Sequence, residues 1–240
     1  MTNIFSKNRE KALVLFSGGQ DSTTCLFWAL NNYKRVDTLG FKYGQRHSIE
    51  LDCRLSILDI INSQENNYYI GELGDDHVVD LGFISQITEN ALTRKLTIDS
   101  SDNVPNTFVP GRNLLFLTTA AIICYNINTC NIVGGMSEVD FSNYPDCRDS
   151  TVKSQQVTLN LGLDRLINIE TPLMRKTKAE IWQMAMDIGG NDLIRIIVEN
   201  THTCYLGCRD DFHDWGYGCG ICPECVLRKT GWETWINVKS

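Results

Sequence analysis

The stretch "FSGGQDSTT" (16–24) sets a glycine pair, several hydroxyls and one carboxylate directly behind the apolar run "KALVLF" (11–16). Glycines let a backbone come close to a ligand, and a following helix offers unpaired N–H groups and the positive end of its dipole. That combination suits a multiply charged anion. The loop lacks the lysine of a G-x-x-x-x-G-K-[ST] phosphate loop, which reaches the terminal phosphates. It therefore suits the pyrophosphate released when ATP is cut at its α-phosphate. Phe16, Ser17, Gly18, Gly19, Gln20, Asp21, Ser22 and Thr23 are the candidate ATP-binding residues. Asp21 is the candidate carboxylate for magnesium travelling with the nucleotide.

A second chemical signal lies in "HTCYLGCRDDFHDWGYGCGICPEC" (202–225), which holds five of the ten cysteines. Cys219-x-x-Cys222-x-x-Cys225 puts three thiolates on a tight knuckle, and one further ligand closes a tetrahedral zinc site. Spacing alone leaves Cys204 and Cys208 competing for that place, with His202 and His213 behind them. A complete four-cysteine shell has no open position for water, so the expected role is structural. Cys25, Cys53, Cys124 and Cys130 fall on apolar stretches and read as core residues, and Cys147 is not taken as a nucleophile.

These residues need elements to position them. "KALVLF" reads as a buried strand, 22–32 as a helix capped by Ser22, and "VDTLGF" (36–41) as a second strand. Helix 47–62 would present Ile49, Cys53, Ile57 and Ile60 on one face. "NYYIG" (67–71) is a candidate third strand, and a polar stretch over roughly 88–107 has no periodicity. Helix 113–127, strand 130–135, helix 148–161, strand 166–171 and helix 177–188 continue the alternation, with 114–127 read as a buried helix. Such alternation predicts an α/β fold, a doubly wound parallel sheet, in which ligands bind beyond the carboxyl ends of the strands. The unusual polar motifs at 17–23, 43–47 and 136–148 each follow a strand. The expected organisation is a nucleotide-binding domain over 1–199 and a zinc-binding segment with a closing helix over 200–240.

Composition narrows the class. A 240-residue chain with 42% apolar residues and a net charge of −7 has enough core for one domain. It has no basic block that would serve as a nucleic-acid surface. No apolar signal core opens the chain and no apolar run spans a bilayer, so a cytoplasmic protein without membrane contact is expected.

Together, "SGGQDSTT", "YGQRH" (43–47), "NTFVPGRN" (106–113), "SEVDFSNYPDCRD" (137–149), "ETPL" (170–173) and "CGICPEC" (219–225) resemble the 7-cyano-7-deazaguanine synthase family, from about residue 11 to 236. "SGGQDS" alone resembles the wider class of adenylating enzymes with a pyrophosphatase loop and an adenine nucleotide alpha-hydrolase-like fold. The family resemblance implies an ATP-dependent ligase of queuosine biosynthesis. It would join ammonia to 7-carboxy-7-deazaguanine by adenylating first the acid and then the amide, without contacting nucleic acid directly. It also implies a homodimer, and Cys204 with Cys219, Cys222 and Cys225 as the metal ligands.

Residue roles follow. Arg112 precedes Asn113, the expected cap of helix 113–127, so guanidinium and helix N-terminus would converge on an ATP phosphate or the substrate carboxylate. Tyr43, Gln45, Arg46 and His47 follow the second strand and can meet nucleotide or carboxylate; the alternative for His47 is that it only begins a helix. Asp21, Arg46, His47 and Arg112 are the candidate catalytic residues. Glu138, Asp140, Asp146 and Arg148 form a polar cluster. Glu138 or Asp140 would accept the N–H edge of the base, with Phe141 or Tyr144 packed on its face. Lys176 and Lys178 either approach phosphates or mark a solvated helix start.

Overall fold

The computed structural model describes residues 9–46, 48–63, 71–94, 96–99, 104–139 and 144–239. Five parallel strands form the central sheet in the order β3-β2-β1-β4-β5: β1 (Lys11–Leu15), β2 (Arg35–Lys42), β3 (Glu72–Asp80), β4 (Asn131–Val133) and β5 (Asn168–Glu170). The pleat divides β1 between two cores. Ala12 and Val14 pack beneath α1 (Gln20–Asn32) and α6 (Lys178–Asn200), whereas Leu13 packs beneath α4 (Arg112–Asn126) and α5 (Asp149–Leu163). With both faces covered, the strand is apolar throughout, which is why it reads as a continuous run. The doubly wound sheet is the expected architecture.

Several elements differ from the sequence expectation. The third strand is 72–80; of the "NYYIG" stretch only Gly71 is described, as a bend. This strand is an edge, rich in Asp and half exposed, so apolar patterning does not mark it. In α2 (Ile49–Asn62) the buried residues are Cys53, Arg54, Ile57, Leu58 and Ile61, one step around from the expected stripe. Helix α4 is buried on one side only, with Ile122 and Tyr125 exposed on the other. The described part of the polar stretch 88–107 is turns and loop, preceded by the short α3 (Ile84–Ile87). Helix α6 runs past 188 to Asn200, through a break at Gly190, whose φ is +60°.

After α6 the chain forms a two-residue-per-strand hairpin, β6 (Phe212–His213) with β7 (Gly216–Tyr217), and then α7 (Pro223–Lys239). Trp182 on α6 packs edge-on against Trp232 and stacks with Trp235 of α7, while Trp235 Nε1 donates to Gln183 Oε1 at 2.9 Å. Trp215, Cys204 and Cys225 belong to the same apolar cluster as α1. Packing is thus continuous across the 199/200 boundary. Among the described residues, no helix is long and apolar enough to cross a membrane.

Candidate active site

In the order 3-2-1-4-5 the connections leave β1 and β4 in opposite directions, which opens a crevice at their carboxyl ends. A cavity of about 290 Å³ lies there, lined by the 16–22 loop behind β1 and by Gly135–Ser137 behind β4. Gly18 has φ +91°, and a Cβ there would meet Glu50 O at 2.4 Å, so the turn and its seat on α2 require glycine. Arg54, fully buried, donates from Nε to Phe16 O at 2.8 Å and is itself paired with Asp76, fixing where β1 ends.

The helix cap differs from expectation. Gly19 is the N-cap of α1 and no side chain caps it, leaving the first-turn N–H groups for a ligand. Ser22 instead shapes the loop, accepting from Ser17 N at 3.2 Å and donating to Gly19 O at 3.1 Å. Thr23 is buried and donates to Gly19 O at 2.8 Å; neither it nor Gly18 lines the cavity. Phe16, Ser17, Gly19, Gln20, Asp21 and Ser22 do. Both polar atoms of Gln20 are buried without a hydrogen-bond partner among the described residues. Asp21 pairs at 2.7 Å with Lys178, a buried lysine of the cavity wall, so of the two lysine alternatives the solvated helix start does not hold for Lys178.

Arg112 also lines the cavity and lies amid aromatic rings, 5.5 Å from the centre of Tyr43, 5.9 Å from Phe116 and 6.0 Å from Tyr144. Its Nη1 donates to Tyr43 Oη at 3.4 Å, while its Nε is buried without a partner among the described residues. Burial by itself would lower the guanidinium pKa; the surrounding Tyr43, Tyr144 and Tyr205 hydroxyls and the Cys147 thiol more than offset this and hold the cation. Glu50, half-buried on α2, lines the same chamber. Burial pushes its carboxyl up to about 7, with Arg112 opposing and Glu224 reinforcing the shift. Tyr205 Oη donates to Glu224 Oε1 at 2.9 Å and lies 3.2 Å from Tyr144 Oη.

The remaining candidates divide. Tyr43, Gln45, Arg46 and Tyr144 line the cavity. Gln45 accepts from Tyr43 N at 2.9 Å, shaping its own loop, and Arg46 donates to Ala91 O at 3.3 Å. Asp146 is buried outside the cavity and accepts from Asn113 N at 3.0 Å and Asn113 Nδ2 at 3.1 Å. The cap of α4 is thus Gly111 with Asp146 reaching in from another loop, rather than Asn113 itself. Glu138 is held by Arg175 and accepts from Asp149 N at 2.9 Å, away from the cavity, and Arg148 is exposed. His47, Asp140 and Phe141 lie outside the described residues. Glu50, Tyr205 and Glu224 are cavity residues that sequence reasoning did not reach. The one available signal was adjacency: Tyr205 and Glu224 each directly flank a cysteine of the knuckle.

In that knuckle the Sγ atoms of Cys204, Cys219, Cys222 and Cys225 all lie within 4.8 Å of one another. The Cys219–Cys225 and Cys204–Cys222 separations are 3.9 and 4.0 Å. A tetrahedral zinc ion with Zn–S bonds of about 2.3 Å has S–S edges of about 3.8 Å. The cluster therefore fits zinc. Cys208 points elsewhere, with Sγ 3.5 Å from Asp211, while His202 and His213 face the backbone carbonyls of Cys204 and Gly218. The knuckle also touches the phosphate loop, since His202 N donates to Gly18 O at 3.3 Å.

Comparison with known proteins shows the fold and the family. Among solved structures, a 4-thiouridine synthetase in complex with RNA and bound ATP superposes with a TM-score of 0.50 at 17% identity, covering 77% of this chain and 42% of that one. This likeness shows the adenine nucleotide alpha-hydrolase-like fold. The 7-cyano-7-deazaguanine synthase of Bordetella pertussis is 55% identical over 234 residues, 97% of this chain and 96% of the relative. That of Bradyrhizobium sp. is 55% identical over 226 residues, 94% of each, and that of Burkholderia ambifaria 54% over 230, covering 95% and 94%. The family model of the queuosine biosynthesis protein QueC matches residues 11–236, and the chain belongs to that family, the 7-cyano-7-deazaguanine synthases.

Proposed function

We propose that the chain converts 7-carboxy-7-deazaguanine and ammonia to the nitrile by adenylating, in turn, the acid and the amide. The observation that carries this reading is one cavity lined by two chemically distinct groups: an uncapped helix N-terminus with Ser17 and Ser22 hydroxyls, and aromatic rings around a held cation, Arg112. The first group suits pyrophosphate and the second a flat base bearing a carboxylate.

A carboxylate oxygen is a poor leaving group, and transfer of AMP makes it a good one. In the first step the substrate carboxylate attacks the α-phosphorus, the bond to the bridging oxygen breaks, and pyrophosphate departs into the 17–22 loop. Ammonia then adds to the acyl carbon, AMP leaves with one of the original carboxylate oxygens, and loss of a proton gives the amide. The amide oxygen attacks a second ATP. Loss of AMP with that oxygen, and of both N–H protons, leaves the nitrile. No enzyme nucleophile is needed.

The protein's work is positioning and charge stabilisation. Gln20 and the first-turn N–H groups of α1 hold the departing phosphates. Lys178, beside Asp21, brings positive charge to the α-phosphate end. Arg112 orients the substrate carboxylate, and Tyr43, Phe116 and Tyr144 hold the ring. Asp21 would hold magnesium carried with the nucleotide, which would supply neutralisation of the pyrophosphate charge. Arg46 remains a candidate for the same anions. The protein works as a homodimer in the cytoplasm on small-molecule substrates. Incubation with ATP, magnesium, ammonia and the acid should yield nitrile with AMP and pyrophosphate; intact ATP under those conditions would overturn the proposal.

A further inference from the structure

The knuckle does more than close the chain. Tyr205 follows the ligand Cys204, and Glu224 lies between the ligands Cys222 and Cys225, yet both side chains line the cavity. They meet each other at 2.9 Å, and Tyr205 Oη lies 3.2 Å from that of Tyr144, which in turn donates to Thr107 Oγ1 at 2.7 Å. Part of the chamber lining is therefore built by the metal knuckle, while another part comes from the end of β2 and from α4 through Tyr43, Arg112 and Phe116.

This matters for a base of the guanine type. Such a base presents a ring N–H and an exocyclic amino group side by side, and one carboxylate accepts from both. The carboxylates lining the cavity among the described residues are Asp21, Glu50 and Glu224. Asp21 lies at the phosphate end, paired with Lys178. Glu50 is pushed up to about 7 by burial, so near neutral pH it spends much of its time as a hydrogen-bond donor, the wrong partner for an N–H edge. Glu224 accepts a hydrogen bond from Tyr205 Oη at 2.9 Å, which holds it in the cavity lining. It also sits in the first turn of α7, where a negative charge meets the positive end of the helix dipole. Glu138, the carboxylate suggested by sequence, is occupied by Arg175 and lies outside the cavity.

We propose that Glu224 is the specificity-determining residue that accepts the N–H edge of the deazaguanine ring, and that Tyr205 is its positioning residue. The inference rests on the reading of this cavity as a deazaguanine site. It gives the knuckle a part in choosing the substrate as well as in holding the fold.

The test is a cycle between enzyme and substrate, read as KM at saturating ATP and ammonia. Wild type and Glu224→Gln are each assayed with 7-carboxy-7-deazaguanine and with its analogue lacking the exocyclic amino group, and metal content is measured on both proteins. Losing one charged hydrogen-bond partner should raise KM about 10- to 100-fold, so the analogue should cost wild type that much. Glu224→Gln should show a similar rise with the true substrate, and less than about a threefold further rise with the analogue, because the contact is already gone. Its KM for ATP should stay within about twofold of wild type and its zinc content should not change. Tyr205→Phe keeps every cysteine and removes only the hydroxyl on Glu224; it should raise KM for the acid several-fold with kcat retained. Penalties that multiply independently, or an unchanged KM in Glu224→Gln, would overturn the assignment while wild-type turnover left the proposed function standing. A wild type that makes no AMP with the acid would remove both.

Discussion

Replacing Gly18 with alanine puts a methyl group where the fold has no room. The added Cβ would lie 2.4 Å from Glu50 O and 2.8 Å from Arg54 N, both backbone atoms of α2. Reaching ordinary contact needs a displacement of about 1 Å in the loop or the helix. The φ of +91° adds strain of about 1–3 kcal/mol for a residue with a Cβ. For a domain of this size each kcal/mol lowers Tm by about 2–4 °C, so strain of about 2 kcal/mol predicts a fall of about 4–8 °C. The functional loss should be larger than the stability loss suggests. The loop carries the α1 N-terminus, and misplacing reacting groups by about 1 Å costs on the order of 100-fold in rate. Steady-state pyrophosphate release beside calorimetric melting separates the two effects. Gly190→Ala is the control: its φ is +60°, nothing lies within 4 Å of the added Cβ, and it does not line the cavity. It should melt lower and turn over normally. A Gly18→Ala enzyme with kcat and KM for ATP within about twofold of wild type would show that the loop tolerates the displacement.

Cys204→Ala should lose bound zinc and Cys208→Ala should keep it, as measured by metal analysis of the purified proteins; equal retention would contradict the ligand set. Asp146→Ala removes the acceptor of two Asn113 donors, and loss of a cap of this kind costs about 1–2 kcal/mol, so Tm should fall by several degrees, with Asp146→Asn intermediate. Glu50 gives a pH signature. Its folded pKa of about 7 lies above the ordinary 4.5, so between those values the native state binds more protons than the unfolded chain and stability falls as pH rises. Glu50→Gln should therefore gain stability relative to wild type from about pH 4.5 to 7 and hold a constant margin above it, read from urea midpoints across pH without ligands. A margin that grows as pH falls would contradict the assigned direction.

Much of this was legible in the chain, and for identifiable reasons. Strand β1 is buried on both faces, so its apolar run ends where the loop begins, and the glycine pair marks the turn. The cysteine spacing announced a metal, although geometry was needed to reject Cys208 by its turn towards Asp211. Long-range pairs were not legible. Nothing local in "YPDCRD" says that Asp146 caps a helix beginning 34 residues earlier, or that Glu138 answers Arg175. Lys178 stayed open between a phosphate contact and a solvated helix start because its partner Asp21 is distant in sequence. Glu50 and Glu224 look like ordinary acidic residues of two helix first turns, and only the crevice shows that both turns face one chamber. The edge strand β3 escaped because half-exposed edges carry charge instead of an apolar pattern.

The central claim is that AMP, and no other part of ATP, is handed to the substrate oxygen. Turnover of 7-carboxy-7-deazaguanine carrying ¹⁸O in both carboxylate oxygens, followed by mass spectrometry of the nucleotide products, distinguishes the alternatives. Two AMP per nitrile are expected, each bearing one labelled phosphate oxygen, with unlabelled pyrophosphate. Label in inorganic phosphate with release of ADP would contradict it.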